Sequence, residues 1–172
     1  NKGVLEKNQL VVVDIGASFN HYCADVTRTY PTSGTFSDRQ KEIYELVLKT
    51  QEYIASQARP GVWLNNKNKP EESLHHKAQA FLKEQGYEKY FPHGIGHFVG
   101  LDVHDVGDAS KPLTQGDVIT IEPGIYIPKE QLGVRIEDMY WIVEDEAVCL
   151  SEGIPKTVQE IQELMKHTQL KE

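Results

Sequence analysis

Apolar residues first gather at Leu10-Val11-Val12-Val13-Asp14, a β-branched run closed by Gly16. They gather again from Tyr22 to Tyr30, where Cys23, Val26, Thr27 and Thr29 favour extended backbone. Ala17-Ser18-Phe19-Asn20 between them reads as a hairpin connection. Past a loop from Pro31 to Phe36 the period changes from two to 3.6. Ser37, with Gln40 three residues on, forms a capping box that opens a helix to about Ala58, and Pro60-Gly61 stops it. Its apolar stripe is Ile43, Leu46, Val47, Tyr53 and Ile54. The spacing predicts a second helix from about Pro70 to Gln85, with Leu74, Ala78, Phe81 and Leu82 on one face and Gly86 as its stop.

From Phe91 to Lys111 neither period holds. This Gly- and His-rich stretch is expected to be loop or irregular strand, where chemistry tends to concentrate. Strands are predicted at Val118 to Glu122, Ile125 to Ile127, Val134 to Val143 and Ala147 to Leu150, and a terminal amphipathic helix at Val158 to His167. The order of elements points to an α+β domain spanning 1–172, a mostly antiparallel sheet covered by helices on one side.

Composition narrows the function. With 39% apolar and 26% charged residues over 172 positions, the chain is an ordinary globular sequence rather than a disordered or fibrous one. No apolar run approaches the roughly 20 residues of a spanning helix, so no membrane partner is expected. Eighteen Lys and Arg against 26 Asp and Glu give a net charge of −8, which argues against nucleic-acid binding through phosphate neutralisation and suits divalent cations or basic partners. Cys23 and Cys149 lie in no metal-binding spacing and favour a reducing compartment; the expected location is the cytoplasm.

The acids carry the sharper signal. A turn between Phe19 and Asn20 sets Asp14 opposite Asp25, and a turn around Lys129-Glu130 sets Glu122 opposite Glu137, provided that Pro123-Gly124 does not form a bulge. Like charges directly opposite on a sheet are destabilising, so two such pairs call for a shared proton or a cation. Four carboxylates and one neutral imidazole carry −4, which two dications balance. Oxygen-rich ligation with one nitrogen suits paired Mn²⁺, Co²⁺, Fe²⁺ or Zn²⁺ better than a structural zinc. The histidines lie in His93-Gly94-Ile95-Gly96-His97 and on to His104-Asp105, where the glycines exclude a helical pair of ligands. His21, His75, His76 and His167 are read as ordinary histidines, with His75 and His76 facing solvent from the second helix.

Asp14-Ile15-Gly16-Ala17, Ala24-Asp25-Val26-Thr27-Arg28-Thr29, the segment from His93 to Asp105, Ile121-Glu122-Pro123-Gly124 and Val134-Arg135-Ile136-Glu137-Asp138 together resemble the successive motifs of the pita-bread metallopeptidases. Within that family they are most similar to the Xaa-Pro aminopeptidase and Xaa-Pro dipeptidase (prolidase) branch. The resemblance implies the pita-bread fold of the creatinases and aminopeptidases, with a curved, mostly antiparallel sheet. It also implies a dinuclear site, usually manganese, held by Asp14, Asp25, His97, Glu122 and Glu137, with Asp25 and Glu137 bridging. His93, His104 and Arg135 match positions that contact substrate or stabilise the intermediate. For Arg135, an ion pair with Glu137 or Asp138 within the sheet is an equal alternative.

Two close metals imply attack on the scissile carbonyl by a bridging hydroxide. Glu122 would relay the proton to the leaving nitrogen, and His104 would hydrogen-bond the oxyanion. The implied substrate is a peptide with proline in second position, cleaved by an Xaa-Pro aminopeptidase. A dipeptidase restricted to Xaa-Pro is one alternative, and a metal-free pita-bread binding module is another. Full-length relatives carry an N-terminal domain and further catalytic-domain elements, including a substrate-binding histidine, before the strand of Asp14. Weak or absent activity is therefore expected of this chain alone. Homodimers are common in the family.

Overall fold

The computed structural model describes residues 3–168, with side chains as far as 166. β1 (Leu10–Ile15) pairs antiparallel with β4 (Val26–Pro31), in a register that runs from Leu10 opposite Pro31 to Ile15 opposite Val26. Between them β2 (Ser18–Phe19) and β3 (Tyr22–Cys23) close a tight hairpin. Its turn is Asn20-His21, one residue later than expected, with φ of 49° and 72°. A two-residue hairpin turn of type I′, which matches the strand twist, needs two consecutive positive φ values. Asn accepts that conformation far better than Phe19 would.

Asp14 consequently faces Thr27 rather than Asp25, and Asp25 lies in the break between β3 and β4. Moving the turn by one residue moves each partner by two, so the acids keep the same face although the opposed pair is lost. Gly16 is needed at the crossing, because a Cβ there would stand 1.7 Å from the Ala24 carbonyl oxygen.

α1 (Asp38–Gln57) begins with the expected capping box. Ser37 Oγ accepts the Gln40 N–H, and the Gln40 side chain accepts the Ser37 N–H at 2.9 Å. The helix ends at Ala58, ahead of Pro60. Ile43, Val47 and Ile54 are buried as predicted, together with Tyr44 and Leu48, whereas Leu46 is half-buried. Tyr53 lies outside the stripe, exposed at 37%, and stacks on Phe81 at 5.2 Å between ring centroids.

The second predicted helix divides. Residues 70–72 form one 3-10 turn, and α2 (Leu74–Glu84) begins after Ser73. Ser73 is extended because its neighbours pair with Trp63, whose N–H donates to Glu72 O and whose carbonyl accepts from Leu74, each at 2.8 Å. Gly86, at φ 82°, supplies the left-handed stop.

β5 (Val118–Ile121), β8 (Asp138–Ile142) and β9 (Ala147–Cys149) form one antiparallel ladder, while β6 (Gly124–Ile127) and β7 (Leu132–Arg135) form another. Ile121 faces Asp138 and Gly124 faces Arg135, so a single register runs through Pro123-Gly124 without a bulge and Glu122 falls across from Glu137 as predicted. The single strand expected from Val134 to Val143 is nevertheless two. At Glu137 the backbone turns to β4 instead, its N–H donating to Thr27 O at 3.0 Å.

α1 packs over β5, β6 and β7 and carries α2 and α3 (Val158–Thr168) against it. Ile43, Ile54, Leu82, Ile119, Ile125 and Ile142 are fully buried in this core. Each such side chain contributes about 1.5–3 kcal/mol by leaving water. His167 lies outside the described side chains. No helix among the described residues is long and apolar enough to cross a membrane.

Candidate metal centre

The candidate ligands sit where the ladders are interrupted. Asp14 is near the end of β1, Asp25 in the β3–β4 link, Glu122 in the β5–β6 link and Glu137 in the β7–β8 link. His97 comes from the irregular segment, which behaves locally as another strand along β5. Thr120 N–H donates to His97 O at 2.8 Å, Glu122 N–H to Ile95 O at 2.8 Å and Val99 N–H to Val118 O at 3.0 Å. Gly96 permits this approach, since a Cβ there would lie 1.9 Å from Thr120 O. Strand breaks leave side chains free of the pleat's strict alternation, so acids from separate ladders turn toward one point.

His97 Nε2 lies 3.4 Å from Asp25 Oδ2, 3.5 Å from Glu122 Oε1 and 4.0 Å from Glu137 Oε1. Asp25, His97 and Glu137 offer ligand atoms all within 4.8 Å of one another. His97 Nδ1 stands 3.0 Å from Phe98 O, which places the ring proton there and leaves the Nε2 lone pair facing the carboxylates. Thr27 Oγ1 donates to Glu137 Oε2 at 2.6 Å and Thr120 Oγ1 to Glu122 Oε1 at 3.2 Å.

Crowding shows in the proton affinities. Burial, followed by the neighbouring Asp14, raises the Asp25 carboxyl above its ordinary value, while His97 opposes the rise. Burial pushes Glu137 up to about 8, against the Thr27 hydrogen bond and assisted by the charges of Glu122, Asp25 and Asp14. Burial and the neighbouring carboxylates hold both acids toward their neutral forms, and a divalent cation would offset both effects. An oxygen-rich set with a single imidazole, not a thiolate cage, fits such an ion.

Arg135 does not form the ion pair expected of it within the sheet. Its Nη2 donates to Asp14 Oδ2 at 2.6 Å, Nη1 to the Tyr126 hydroxyl at 3.1 Å and Nε to Thr27 Oγ1 at 3.2 Å. Asp138 is already engaged by Arg28 at 2.7 Å and Lys156 at 3.0 Å, so the expected pair with Glu137 or Asp138 does not form. His104 stands with its ring 4.1 Å from that of His97 and lines a cleft of about 380 Å³ with all five candidate ligands. His93 packs edge-on against Tyr126, its Nε2 3.0 Å from the hydroxyl. His21 is exposed in the hairpin turn, as expected.

His75 and His76 do not face solvent. Both are half-buried, and His75 packs against Phe91 at 5.6 Å between centroids because α2 turns that face toward the irregular segment. Burial pulls the His75 pKa below its ordinary value, with the neighbouring His76 and His93 adding to the shift.

Sequence reasoning missed the residues that hold the ligands. Thr27 and Thr120 each lie two positions from a ligand, and that spacing on one strand face was their available signal. Arg28 was visible only as an arginine within a β-branched run. It is 2% exposed and donates to Glu137 O at 2.6 Å, Thr27 O at 2.9 Å, Pro155 O at 2.8 Å and Ile154 O at 3.1 Å, besides its pair with Asp138.

An antiparallel sheet faced by helices, with carboxylates and an imidazole converging from strand breaks into one cleft, defines a metallopeptidase domain. The chain belongs to metallopeptidase family M24, whose profile matches residues 1–144. The Xaa-Pro aminopeptidase of Haemophilus influenzae is 37% identical over 96% of this chain and 44% of its own length. The Xaa-Pro dipeptidase of Pyrococcus furiosus is 44% identical over 86% of this chain and 41% of its own. Among solved structures, the X-Pro aminopeptidase of Thermotoga maritima superposes with a TM-score of 0.80 at 34% identity, covering 91% of this chain and 42% of that one. The prolidase of Pyrococcus horikoshii gives 0.77 at 41% identity, covering 88% and 42%. The expected pita-bread fold is borne out. The chain spans less than half the length of the curated relatives it matches.

Proposed function

We propose that the whole protein is a dinuclear metal-dependent Xaa-Pro aminopeptidase, removing an N-terminal residue that precedes proline. The observation that carries this reading is the convergence of Asp25, His97 and Glu137, with Glu122 and Asp14 beside them, on one cleft. These five would hold two divalent ions, most readily Mn²⁺. When bound, the ions supply Lewis acidity to the scissile carbonyl and lower the pKa of the attacking water.

The chain's own groups do the rest. Glu122, steadied by Thr120, takes the proton released in the attack and passes it to the leaving nitrogen, a tertiary amide that needs protonation from one side. His104, at the cleft wall beside His97, donates a hydrogen bond to the developing oxyanion. His93, oriented by Tyr126, contacts the substrate. Arg135 fixes Asp14. The free thiols of Cys23 and Cys149 support a reducing, cytoplasmic setting, and a homodimer is part of the same reading.

The Pyrococcus dipeptidase supports a second reading, a peptidase restricted to Xaa-Pro dipeptides. The retention of all five candidate ligands speaks against a metal-free binding module. Two measurements test the proposal. Elemental analysis or anomalous scattering after loading with Mn²⁺ is expected to give two ions per chain, and one or none would overturn the dinuclear site. The full-length protein is expected to cleave a longer Xaa-Pro peptide. Cleavage of the dipeptide alone would shift the assignment to the dipeptidase.

A further inference from the structure

The segment between the two cleft histidines has no regular secondary structure, and residues 101–104 are exposed, yet one carboxylate fixes its shape. Asp105, half-buried, accepts the Leu101 N–H on Oδ2 at 2.9 Å and the Val106 N–H on Oδ1 at 2.7 Å. Its own N–H donates to Phe98 O at 3.0 Å, and Gly100 N–H donates to Asp102 O at 3.1 Å. The loop from Phe98 to Val106 is thus closed both by backbone and by this side chain, which takes the place that carbonyls fill in a regular turn.

Two glycines fit that closure. A Cβ on Gly100 would lie 2.0 Å from Asp105 Oδ2, and one on Gly107 would lie 1.9 Å from the Phe98 ring. The closed loop is then clipped to the β2–β3 hairpin, where Gly100 O accepts the Cys23 N–H at 2.8 Å and Leu101 O accepts the Cys23 thiol at 3.4 Å. His104 is carried on the far limb of this loop, immediately before Asp105, with its ring 4.1 Å from His97.

We infer that Asp105 is the positioning residue for His104. Its carboxylate holds the loop shut and thereby sets the His104 imidazole over His97 at the cleft wall. The Asp105 carboxylate bonds the backbone of its own loop and is not among the groups lining the cleft, so it acts through the loop that carries His104. The inference deepens the proposed function, on which the catalytic consequence of the placement rests.

The test separates geometry from activity. In the metal-free protein, nuclear Overhauser contacts between the His97 and His104 ring protons are expected in the wild type. They should be lost in D105A and in D105N, whose single amide oxygen can accept only one of the Leu101 and Val106 N–H groups. They should be lost also in G100A, where the new methyl occupies the carboxylate's seat. Mn²⁺ stoichiometry is expected to stay unchanged in all three. In the full-length protein, kcat on an Xaa-Pro peptide should fall by about 100- to 1,000-fold with little change in KM, as for loss of one oxyanion donor.

Persistence of the ring contact in D105A overturns the inference. So does loss of Mn²⁺ binding together with the contact, because Asp105 would then be a support of the metal centre as a whole. If the wild-type full-length protein cleaves no Xaa-Pro peptide, the proposed activity falls, while the ring contact still decides the role of Asp105.

Discussion

Thr27 and Glu137 are joined twice: the Glu137 N–H donates to Thr27 O at 3.0 Å, and Thr27 Oγ1 donates to Glu137 Oε2 at 2.6 Å. The first bond draws the chain out of the ladder between β7 and β8. The second spends the hydroxyl on a carboxylate that is 2% exposed. One residue of β4 therefore sets both where Glu137 sits and which of its oxygens remains free to face His97 Nε2 at 4.0 Å.

Replacing Thr27 by Val keeps the shape and removes the hydroxyl, leaving Glu137 Oε2 buried without its donor. The backbone bond is untouched, so the fold is expected to survive. Partners that orient a ligand typically contribute 10- to 100-fold to metal affinity. T27V should weaken Mn²⁺ binding by about that factor in a calorimetric titration, and affinity equal to wild type would refute the assignment.

The raised Glu137 carboxyl makes the stability of the metal-stripped protein depend on pH in a definite direction. Folded, it holds its proton to about pH 8, whereas unfolded it releases it near 4.5. The stabilisation is complete below 4.5 and is lost as pH rises toward 8; Asp25, raised from 3.8, acts in the same sense. His75 opposes them, because its lowered pKa adds stability as the imidazole of the unfolded chain sheds its proton near 6.5. Subtracting E137Q from wild type isolates the glutamate. The wild-type urea midpoint should fall relative to E137Q between pH 5 and 8 in the presence of chelator, and saturating Mn²⁺ should abolish the fall. A difference that is flat or rises with pH would contradict the account.

Arg28 lies behind the same strands, its guanidinium binding four carbonyl oxygens and the fully buried Asp138. Breaking a buried pair from one side leaves the other charge uncompensated, at a cost of about 3–5 kcal/mol. Lys156 remains on Asp138, which puts R28A at the lower end of that range. The double variant R28M/D138L removes both charges and should recover part of the loss in equilibrium unfolding; a double variant less stable than R28A would show that the pair is not the source.

What could be read from the chain alone follows the range of each interaction. The capping box of Ser37 and Gln40 is local and came out as expected, and so did the register that sets Glu122 across from Glu137, since the turn around Lys129-Glu130 fixes it from nearby. The first hairpin failed by one residue because the choice between Phe19-Asn20 and Asn20-His21 depends on positive φ values that composition signals weakly. The Arg135 bond to Asp14 spans 121 positions, and no local pattern announces it. The segment from Ile95 to Val99 was expected as loop or irregular strand and proves strand-like, but glycines and histidines carry no period that would name β5 as its partner, although the glycine at 96 marks the close approach.

That approach leaves no room for a side chain. Gly96 lies beneath the Thr120 carbonyl, where an added Cβ would stand 1.9 Å from the oxygen and 3.0 Å from Thr120 Oγ1. A methyl group there must push the segment off β5, breaking the bonds of His97 N–H to Thr120 Oγ1 at 3.0 Å and of Thr120 N–H to His97 O at 2.8 Å. The imidazole would move away from Asp25 and Glu122, and Thr120 would lose its hold on Glu122. Gly94, two residues earlier, has only the Gly96 carbonyl oxygen within reach, at 3.9 Å, so an alanine there meets ordinary contact. G96A should cost about 1–3 kcal/mol of stability through overpacking and weaken Mn²⁺ binding by more than about 10-fold, while G94A retains both. The pair is compared by thermal unfolding and metal titration on the same preparation. Wild-type affinity in G96A would mean that His97 does not depend on the strand-like pairing, and the centre would have to be assembled in another way.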